Sequence, residues 1–197
     1  MRKQEQKKTP KASIIICVVL VLLLIVSVAT CGNSGDDKRP SVSSSAGKTS
    51  QDSDASVREL VTGLFTLPEE TLQAKDTSDY AKMLCLINDQ TVCSIKAISE
   101  ESVELTITAP DMYALFSAQL DENKVVADPN AESAQMLATI LSALESKDCP
   151  TVTNTVAVGI GQGDAGPELI VSEELTNAMS GNLLKLFNEL YAQLGGN

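Results

Sequence analysis

The chain has 197 residues, a formal net charge of −11 and no histidine. The lack of histidine excludes catalytic groups that use imidazole as the base and metal sites that need imidazole ligands. The acidic balance argues against a nucleic-acid partner, because a negative surface repels the phosphate backbone.

The first 30 residues consist of a basic start and an apolar block. Arg2, Lys3 and three further lysines precede residues 14–29, which are uncharged and apolar apart from Ser27. This order is typical of an export signal, and the basic residues keep the N-terminus in the cytoplasm. We therefore predict that residues 1–30 are a signal peptide or membrane anchor and that the rest of the chain is extracytoplasmic.

Cys31 directly follows this block and precedes a glycine and a serine-rich run. The sequence VATC resembles the signal of bacterial lipoproteins, in which the cysteine is acylated and becomes the mature N-terminus. The resemblance implies palmitate or a similar lipid on Cys31 and a domain anchored to the cell membrane on its extracytoplasmic side. An uncleaved helix is the alternative, although a span needs about 20 apolar residues. Both interpretations give the same topology.

Two regions of different composition follow. Residues 31–55 are rich in Ser, Gly and Asp, with Val42 as the one large aliphatic residue, and are predicted to form a flexible linker. Residues 56–197 have the length of a single domain. Residues 1–30 contribute +4 through five basic residues and one glutamate, so the remainder carries −15.

The domain begins with helical patterns. Ser56 and Glu59 match a capping box, and apolar residues follow at helical spacing. Pro68 suits the first turn of a helix but not its interior, which predicts a break shortly before it. A further short helix is predicted to open at Asp76 or Thr77.

Alternating apolar and polar residues then predict a β-hairpin over residues 91–98 and 103–109. Asp111 follows the second strand and is predicted to cap a short helix that carries Met112 and Phe116. The buried face of this hairpin is predicted to be apolar, with threonine and charged residues on the other face.

The C-terminal half contains a helix, two strands and a helix. Asn130 is predicted to cap a helix whose core stripe comprises Ala134, Leu137, Ala138, Leu141 and Leu144. Residues 151–160 and 168–171 are the next strand pair. Ser172 is predicted to cap one long helix with an apolar stripe of Leu175, Met179, Leu183, Leu186, Phe187, Leu190 and Leu194.

This order predicts an α+β fold with a curved antiparallel sheet of about four strands packed with helices, because both strand links are too short for parallel crossovers. The segments KDTSDYAKML, ESVELTITAPDMYALF and PELIVSEELTNAMSGNL resemble bacterial lipoproteins with a nuclear-transport-factor-2-like, or cystatin-like, domain. The resemblance implies a sheet wrapped around helices with a conical cavity, which some members use for catalysis and many for binding or assembly.

Three glycines, Gly161, Gly163 and Gly166, have the G-x-G-x-x-G spacing of dinucleotide-binding loops. A strand follows them at residues 168–171, where such a loop requires a helix to receive the pyrophosphate. We therefore interpret the glycines as a hairpin connection, in which glycine supplies positive φ. No cofactor is expected.

Few residues are candidates for a site. Asn154 interrupts the apolar face of its strand and is a candidate polar group inside a ligand pocket. Tyr113 is the second candidate ligand-binding residue. An isomerase-like pocket would need a buried acid and an oxyanion stabiliser, for which Asp79, Tyr80 and Tyr113 are the available groups. Structural roles as cap or core-edge residues are the alternative for Asp79, Tyr80 and Tyr113, and a strand bulge or edge position is the alternative for Asn154.

The domain contains three cysteines, Cys85, Cys93 and Cys149. They allow one disulfide bridge, by any of three pairings, and Cys85 is also consistent with a buried thiol. Their spacing matches no zinc site, and no metal is expected. Without histidine, no group is available to activate a cysteine for hydrolysis.

These observations predict a membrane-tethered extracytoplasmic binding module without enzymatic activity. Its partners are expected to be the membrane, through Cys31 or an uncleaved helix, and an unidentified small ligand or envelope protein. A structural or protein-interaction domain of the envelope without a ligand is the first alternative. An isomerase- or dehydratase-like enzyme is the second.

Overall fold

The computed structural model describes residues 9–10, 50–120, 125–126, 129–163 and 166–193. Within these residues the chain has an α+β fold, as predicted. The strands are β1 (Thr9–Pro10), β2 (Val92–Ile98), β3 (Ser102–Pro110), β4 (Val125–Val126), β5 (Thr151–Gly163) and β6 (Gly166–Ile170). The helices are α1 (Ser50–Gly63), α2 (Glu69–Ala74), α3 (Asp79–Gln90), α4 (Met112–Ser117), α5 (Pro129–Leu144), α6 (Glu173–Met179) and α7 (Leu183–Gln193).

Four of these strands form an antiparallel sheet in the order β2-β3-β5-β6. Both predicted strand pairs are present. In addition, β3 pairs with β5 along its whole length, from Ser102 opposite Gly159 to Pro110 opposite Thr151. The register of β2 shifts between Ile95 and Ala97, which marks a bulge. The sheet is open, since β2 and β6 pair on one side only.

The glycine motif belongs to the β5–β6 hairpin. Gly161 and Gly163 lie within β5, and Gly166 begins β6 with φ of +133°. In this pairing Gly161 lies opposite Glu168, and Gly163 lies opposite Gly166. The interpretation as a hairpin is therefore confirmed, although the positive φ falls on Gly166 alone among the three.

Side-chain caps start three of the helices. A side-chain oxygen of the capping residue accepts a backbone N–H of the first turn in three pairs, Ser78 with Ala81 (3.4 Å), Asp111 with Ala114 (3.0 Å) and Ser172 with Leu175 (3.2 Å). Asp111 and Ser172 are the predicted caps. Ser78 caps α3 in place of Asp76 or Thr77, because residues 75–77 form the turn that follows α2.

The first helix begins earlier than predicted. α1 starts at Ser50, six residues before the capping box at Ser56, so part of the segment predicted to be a linker is helical. α1 ends at Gly63, and Pro68 immediately precedes α2. The predicted break before Pro68 is therefore confirmed.

Two apolar clusters form the core. One lies between the sheet and helices α1 and α6, and it contains Val57, Val61, Val103, Leu105, Ile107, Val156, Val158, Leu175 and Ala178. The other joins α3, α4, α5 and α7, and it contains Met83, Leu84, Met112, Phe116, Met136, Leu137, Ile140, Leu141, Leu144, Leu183, Leu186 and Leu190. Both helices of the first cluster thus contact the apolar face that alternation predicts.

The core stripe of α5 is rotated from the prediction. Ala134 and Ala138 are exposed, and α5 begins at Pro129, so Asn130 lies inside the helix and is not its cap. The buried residues of α5 are Met136, Leu137, Ile140, Leu141 and Leu144. Burying a methionine or isoleucine removes more apolar surface from water than burying an alanine, which favours this orientation.

The prediction of one long helix after Ser172 is wrong. Two helices, α6 and α7, replace it, and they are separated at residues 180–182. The predicted stripe is divided between the two core clusters, with Leu175 in the first and Leu183, Leu186 and Leu190 in the second. Leu194 lies outside the described residues.

Apart from Thr9 and Pro10, the predicted signal lies outside the described residues, and so does Cys31. From the first 49 residues the structure describes only β1, which pairs with β4 through Thr9 opposite Val126 and Pro10 opposite Val125. In the described part of the chain no helix has both the length and the apolar character to cross a membrane.

Candidate functional site

A sharp bend at residues 180–182 separates α6 from α7. Gly181 (φ +57°) and Asn182 (φ +64°) both adopt the left-handed conformation, which turns the chain away from the helix axis. The Asn182 N–H donates to the carbonyl of Asn177 at 2.8 Å and closes the last turn of α6. The bend allows the two helices to lie side by side with their polar residues in contact.

Gly181 is also the point where α4 meets this bend. A Cβ atom at this position would overlap the carbonyl oxygen of Pro110, so only glycine fits. The Gly181 carbonyl in turn accepts the backbone N–H of Tyr113 at 3.0 Å. This close approach fixes Tyr113 next to α7.

The side chain of Asn177 holds the bend on the groove side. Its Oδ1 accepts the backbone N–H of Lys185 at 2.9 Å, and its Nδ2 donates to Oδ1 of Asn182 at 2.9 Å. The first N–H groups of a helix have no partner within the helix, so this amide satisfies one of them in α7. The same side chain therefore connects both helices and the residue between them.

An open groove of about 490 Å³ lies between α6 and α7. Its lining residues are Glu173, Glu174, Asn177, Leu184, Lys185, Asn188, Glu189 and Ala192. Leu184, Asn188 and Ala192 recur every four residues and therefore share one face of α7. The groove thus combines an apolar strip with charged and amide groups, and its volume lies within the range of small-ligand sites.

Tyr113 lies beside the groove and contacts two of its lining residues. Its hydroxyl donates to Oε2 of Glu189 at 2.7 Å, and Nζ of Lys185 lies 5.1 Å from the centre of its ring. The hydrogen bond to Glu189 raises the pKa of Tyr113, which therefore stays neutral at physiological pH. The predicted ligand residue Tyr113 thus orients groove residues without lining the groove itself.

Carboxylates dominate the charge of the groove. Oε1 of Glu173 accepts Nδ2 of Asn188 at 2.9 Å, which connects the two walls. Hydrogen bonds from its own backbone N–H and from the Ser172 hydroxyl lower the pKa of Glu174, so this group stays ionised at neutral pH. With three glutamates and one lysine, the lining carries a formal charge of −2.

The other predicted ligand residue, Asn154, is not among the groove residues. It lies on β5 opposite Ile107 of β3. Its Nδ2 is buried and has no hydrogen-bond partner among the described residues. Of the two predicted ligand residues, only Tyr113 therefore contacts residues that line the groove.

The three cysteines of the domain are free thiols, so none of the three pairings that the sequence leaves open is formed. Cys85 is buried, and Cys93 and Cys149 are half-buried. Removal from water raises the pKa of all three thiols, because it disfavours the charged thiolate. None is therefore poised as a nucleophile.

Most groove residues were missed by sequence reasoning. The sequence predicts only that a helix begins after Ser172, and nothing in its pattern marks Glu173, Glu174 or the polar residues of α7 as parts of a site. Spacing of four residues places Glu173 with Asn177, and Lys185 with Glu189, on common helix faces. In one continuous helix, residues 173 and 189 would lie about 24 Å apart, so only the bend brings them to one groove.

Within the described ranges, no group of three or more His, Cys, Asp or Glu side chains is arranged to hold a metal ion. Comparison with known proteins returns no matching family model, curated protein or solved structure. The chemistry of the groove therefore rests on its own residues, which are suited to hold an organic molecule by charge, hydrogen bonds and apolar contact.

Proposed function

We propose that this protein is a membrane-tethered extracytoplasmic binding module whose ligand site is the groove between α6 and α7. One observation carries the proposal, namely that polar groups from two helices converge beside the apolar strip of Leu184 and Ala192 in a groove of about 490 Å³. Small-molecule sites combine apolar surface with a few placed polar groups in this way. Gly181 and Asn177 hold both walls in position before a ligand arrives.

The ionisable groups of the site support binding without catalysis. Glu174 has a lowered pKa and is a poor general acid at neutral pH. Outside the groove, burial raises the pKa of the Cys93 thiol, and the sequence contains no histidine to activate it. The groove lies open, and burial is one way in which active sites raise the pKa of a carboxyl so that it can act as a general acid.

The basic start, the apolar block and Cys31 support the tether. In this proposal a lipid on Cys31, or an uncleaved helix formed by residues 14–29, keeps the protein at the cell membrane. The antiparallel sheet with α1 and α6 against its apolar face supports the kinship with cystatin-like domains of bacterial lipoproteins. The proposed role is capture of a small molecule close to the outer surface of the membrane.

Ligand-observed NMR on the full-length protein in a non-ionic detergent tests the ligand site. A set of small organic molecules of both charges is screened against the wild type and against Leu184→Arg, which places a bulky charged side chain in the groove lining. We expect signals from bound compounds with the wild type and their loss with Leu184→Arg, because the enlarged side chain occupies the groove.

Leu72→Arg is the matched control, since Leu72 is an exposed leucine of α2 and is not among the groove residues. It should bind the same compounds as the wild type. A screen without any bound compound, or compounds that bind Leu184→Arg as well as the wild type, would contradict a ligand site in the groove and favour a structural or protein-interaction role.

A further inference from the structure

We infer that the ligand of this groove is a small organic cation, namely an aliphatic diamine, an inference that rests on the proposed ligand site. The lining carries a formal charge of −2, which two ammonium groups neutralise. The acidic residues lie on both walls, with Glu173 and Glu174 on α6 and Glu189 on α7. Charge complementarity therefore favours a cation that reaches both helices.

The carboxylates of Glu173 and Glu189 each retain an oxygen that can accept a hydrogen bond. Glu173 uses Oε1 for Asn188, and Glu189 uses Oε2 for Tyr113. In the part of the chain that the structure describes, the second oxygen of each makes no hydrogen bond. Both existing donors are neutral groups, so the negative charges of Glu173 and Glu189 are not cancelled by them. Each of these carboxylates can accept a charge-assisted hydrogen bond from an ammonium group.

The single basic residue of the groove is directed to α4. Nζ of Lys185 lies 5.1 Å from the centre of the Tyr113 ring, within the distance of a cation–π contact. Its ammonium group therefore already has an aromatic partner on α4. Among the described residues, Lys185 forms no salt bridge with Glu173, Glu174 or Glu189.

The arrangement of the acidic groups favours an extended cation over a metal ion. Among the described residues the carboxylates do not converge as metal ligands do. Leu184 and Ala192 place apolar surface along the same groove. A short alkyl chain can cover this surface while ammonium groups at its two ends approach the walls, so an aliphatic diamine matches both the charge and the apolar strip.

Isothermal titration calorimetry with four ligands of equal chain length tests this inference on the full-length protein in a non-ionic detergent at low ionic strength. The ligands are 1,4-diaminobutane, butylamine, 1,4-butanediol and succinate. We expect the diamine to bind most tightly, butylamine more weakly, and the diol and succinate not at all. Added salt should weaken diamine binding, because it screens exposed charges.

Variants that replace a glutamate by glutamine test which carboxylates bind the diamine. Glu173→Gln and Glu189→Gln should each weaken diamine binding about two- to fivefold, as expected for one exposed charge pair. Glu145→Gln is the matched control, because Glu145 is an exposed carboxylate that pairs with Lys82 at 2.6 Å and is not among the groove residues. It should leave diamine binding unchanged.

The outcomes of these experiments distinguish the proposed ligand site from its proposed preference for a cation. If the diol or succinate binds as tightly as the diamine and Leu184→Arg abolishes this binding, the groove is a ligand site but not one for cations. Diamine binding that is equal in Glu173→Gln, Glu189→Gln and the wild type would also overturn the cation site. If no ligand of any charge binds to the groove, both proposals fall.

Discussion

At the scale of single residues, glycine is required at position 181 for two separate reasons. The residue needs a positive φ of +57°, and a side chain there would overlap the carbonyl of Pro110 on the neighbouring element. Asn182 next to it has φ of +64° and is stabilised by the amide of Asn177. The shape of the groove therefore depends on Gly181 and Asn182, which do not line it, and on Asn177, which does.

Gly181→Ala should destabilise the protein by more than about 2 kcal/mol, because an alanine here adopts an unfavourable φ and pushes α4 from the bend. Chemical denaturation monitored by circular dichroism measures this change. Gly63→Ala is the control, since a Cβ at Gly63, the last residue of α1, meets nothing within 4 Å. Equal midpoints for the two variants would contradict the role assigned to Gly181.

Replacement of Asn154, whose side-chain amide nitrogen is buried, should increase the stability of the protein. Because its Nδ2 has no partner among the described residues, Asn154→Val should stabilise the protein by about 1 kcal/mol. Thermal unfolding measures the effect, with Thr155→Val on the exposed side of the same strand as the control. A less stable Asn154→Val protein would mean that the amide makes an interaction that stabilises the fold.

Tyr113 should titrate above its ordinary pKa of about 10. The reason is that Glu189 accepts a hydrogen bond from its hydroxyl and repels the phenolate. A raised pKa in the folded state stabilises the protein below pH 10, and this contribution is lost as the pH rises through the folded-state pKa. NMR of tyrosine labelled at the phenolic carbon measures the titration. Glu189→Gln should lower the pKa of Tyr113; an unchanged value would contradict this cause.

At the scale of elements, local signals predict where several helices start. Asp111 and Ser172 form the predicted caps because a side-chain oxygen can satisfy a free N–H of the first turn from sequence-adjacent atoms alone. The stripe of α5 and the end of α6 depend on contacts with distant residues. Apolar periodicity continues through residues 180–182, so it conceals the bend that Gly181 and Asn182 form.

Ser172→Ala should lower the free energy of unfolding by about 1 kcal/mol, because the N–H of Leu175 then loses its acceptor. Denaturant titration measures the loss. Ser172→Thr keeps a hydroxyl at the same position and should restore most of the stability. If Ser172→Ala and Ser172→Thr were equally stable, the cap would make no contribution.

At the scale of the whole molecule, the described core consists of two apolar clusters. The sheet with α1 and α6 forms one cluster, and the helices α3, α4, α5 and α7 form the other. Gln90 connects the ends of two helices in the second cluster, since its Nε2 donates to the carbonyl of Leu144 at 2.7 Å. The groove lies where α6 of one cluster meets α7 of the other.

The proposed tether predicts a covalent lipid on Cys31. Cells grown with an alkyne analogue of palmitate should label the wild-type protein, and Cys31→Ala should remove the label because the acylated sulfur is absent. Cys17→Ala changes a cysteine within the apolar block and is the control that should keep the label. A label that persists in Cys31→Ala, or a wild-type protein that still begins with Met1, would contradict lipidation at this position.

The sequence by itself determined the α+β class, the antiparallel strand pairs, two helix caps and the break before Pro68, because each depends on neighbouring residues along the chain. It also excluded imidazole chemistry, since no histidine is present. Only the tertiary structure decided that α6 and α7 are two helices and that Glu173 and Glu189 share a groove. The reason is physical: Gly181 packs against the backbone of Pro110, a contact between residues that are 71 positions apart in the chain.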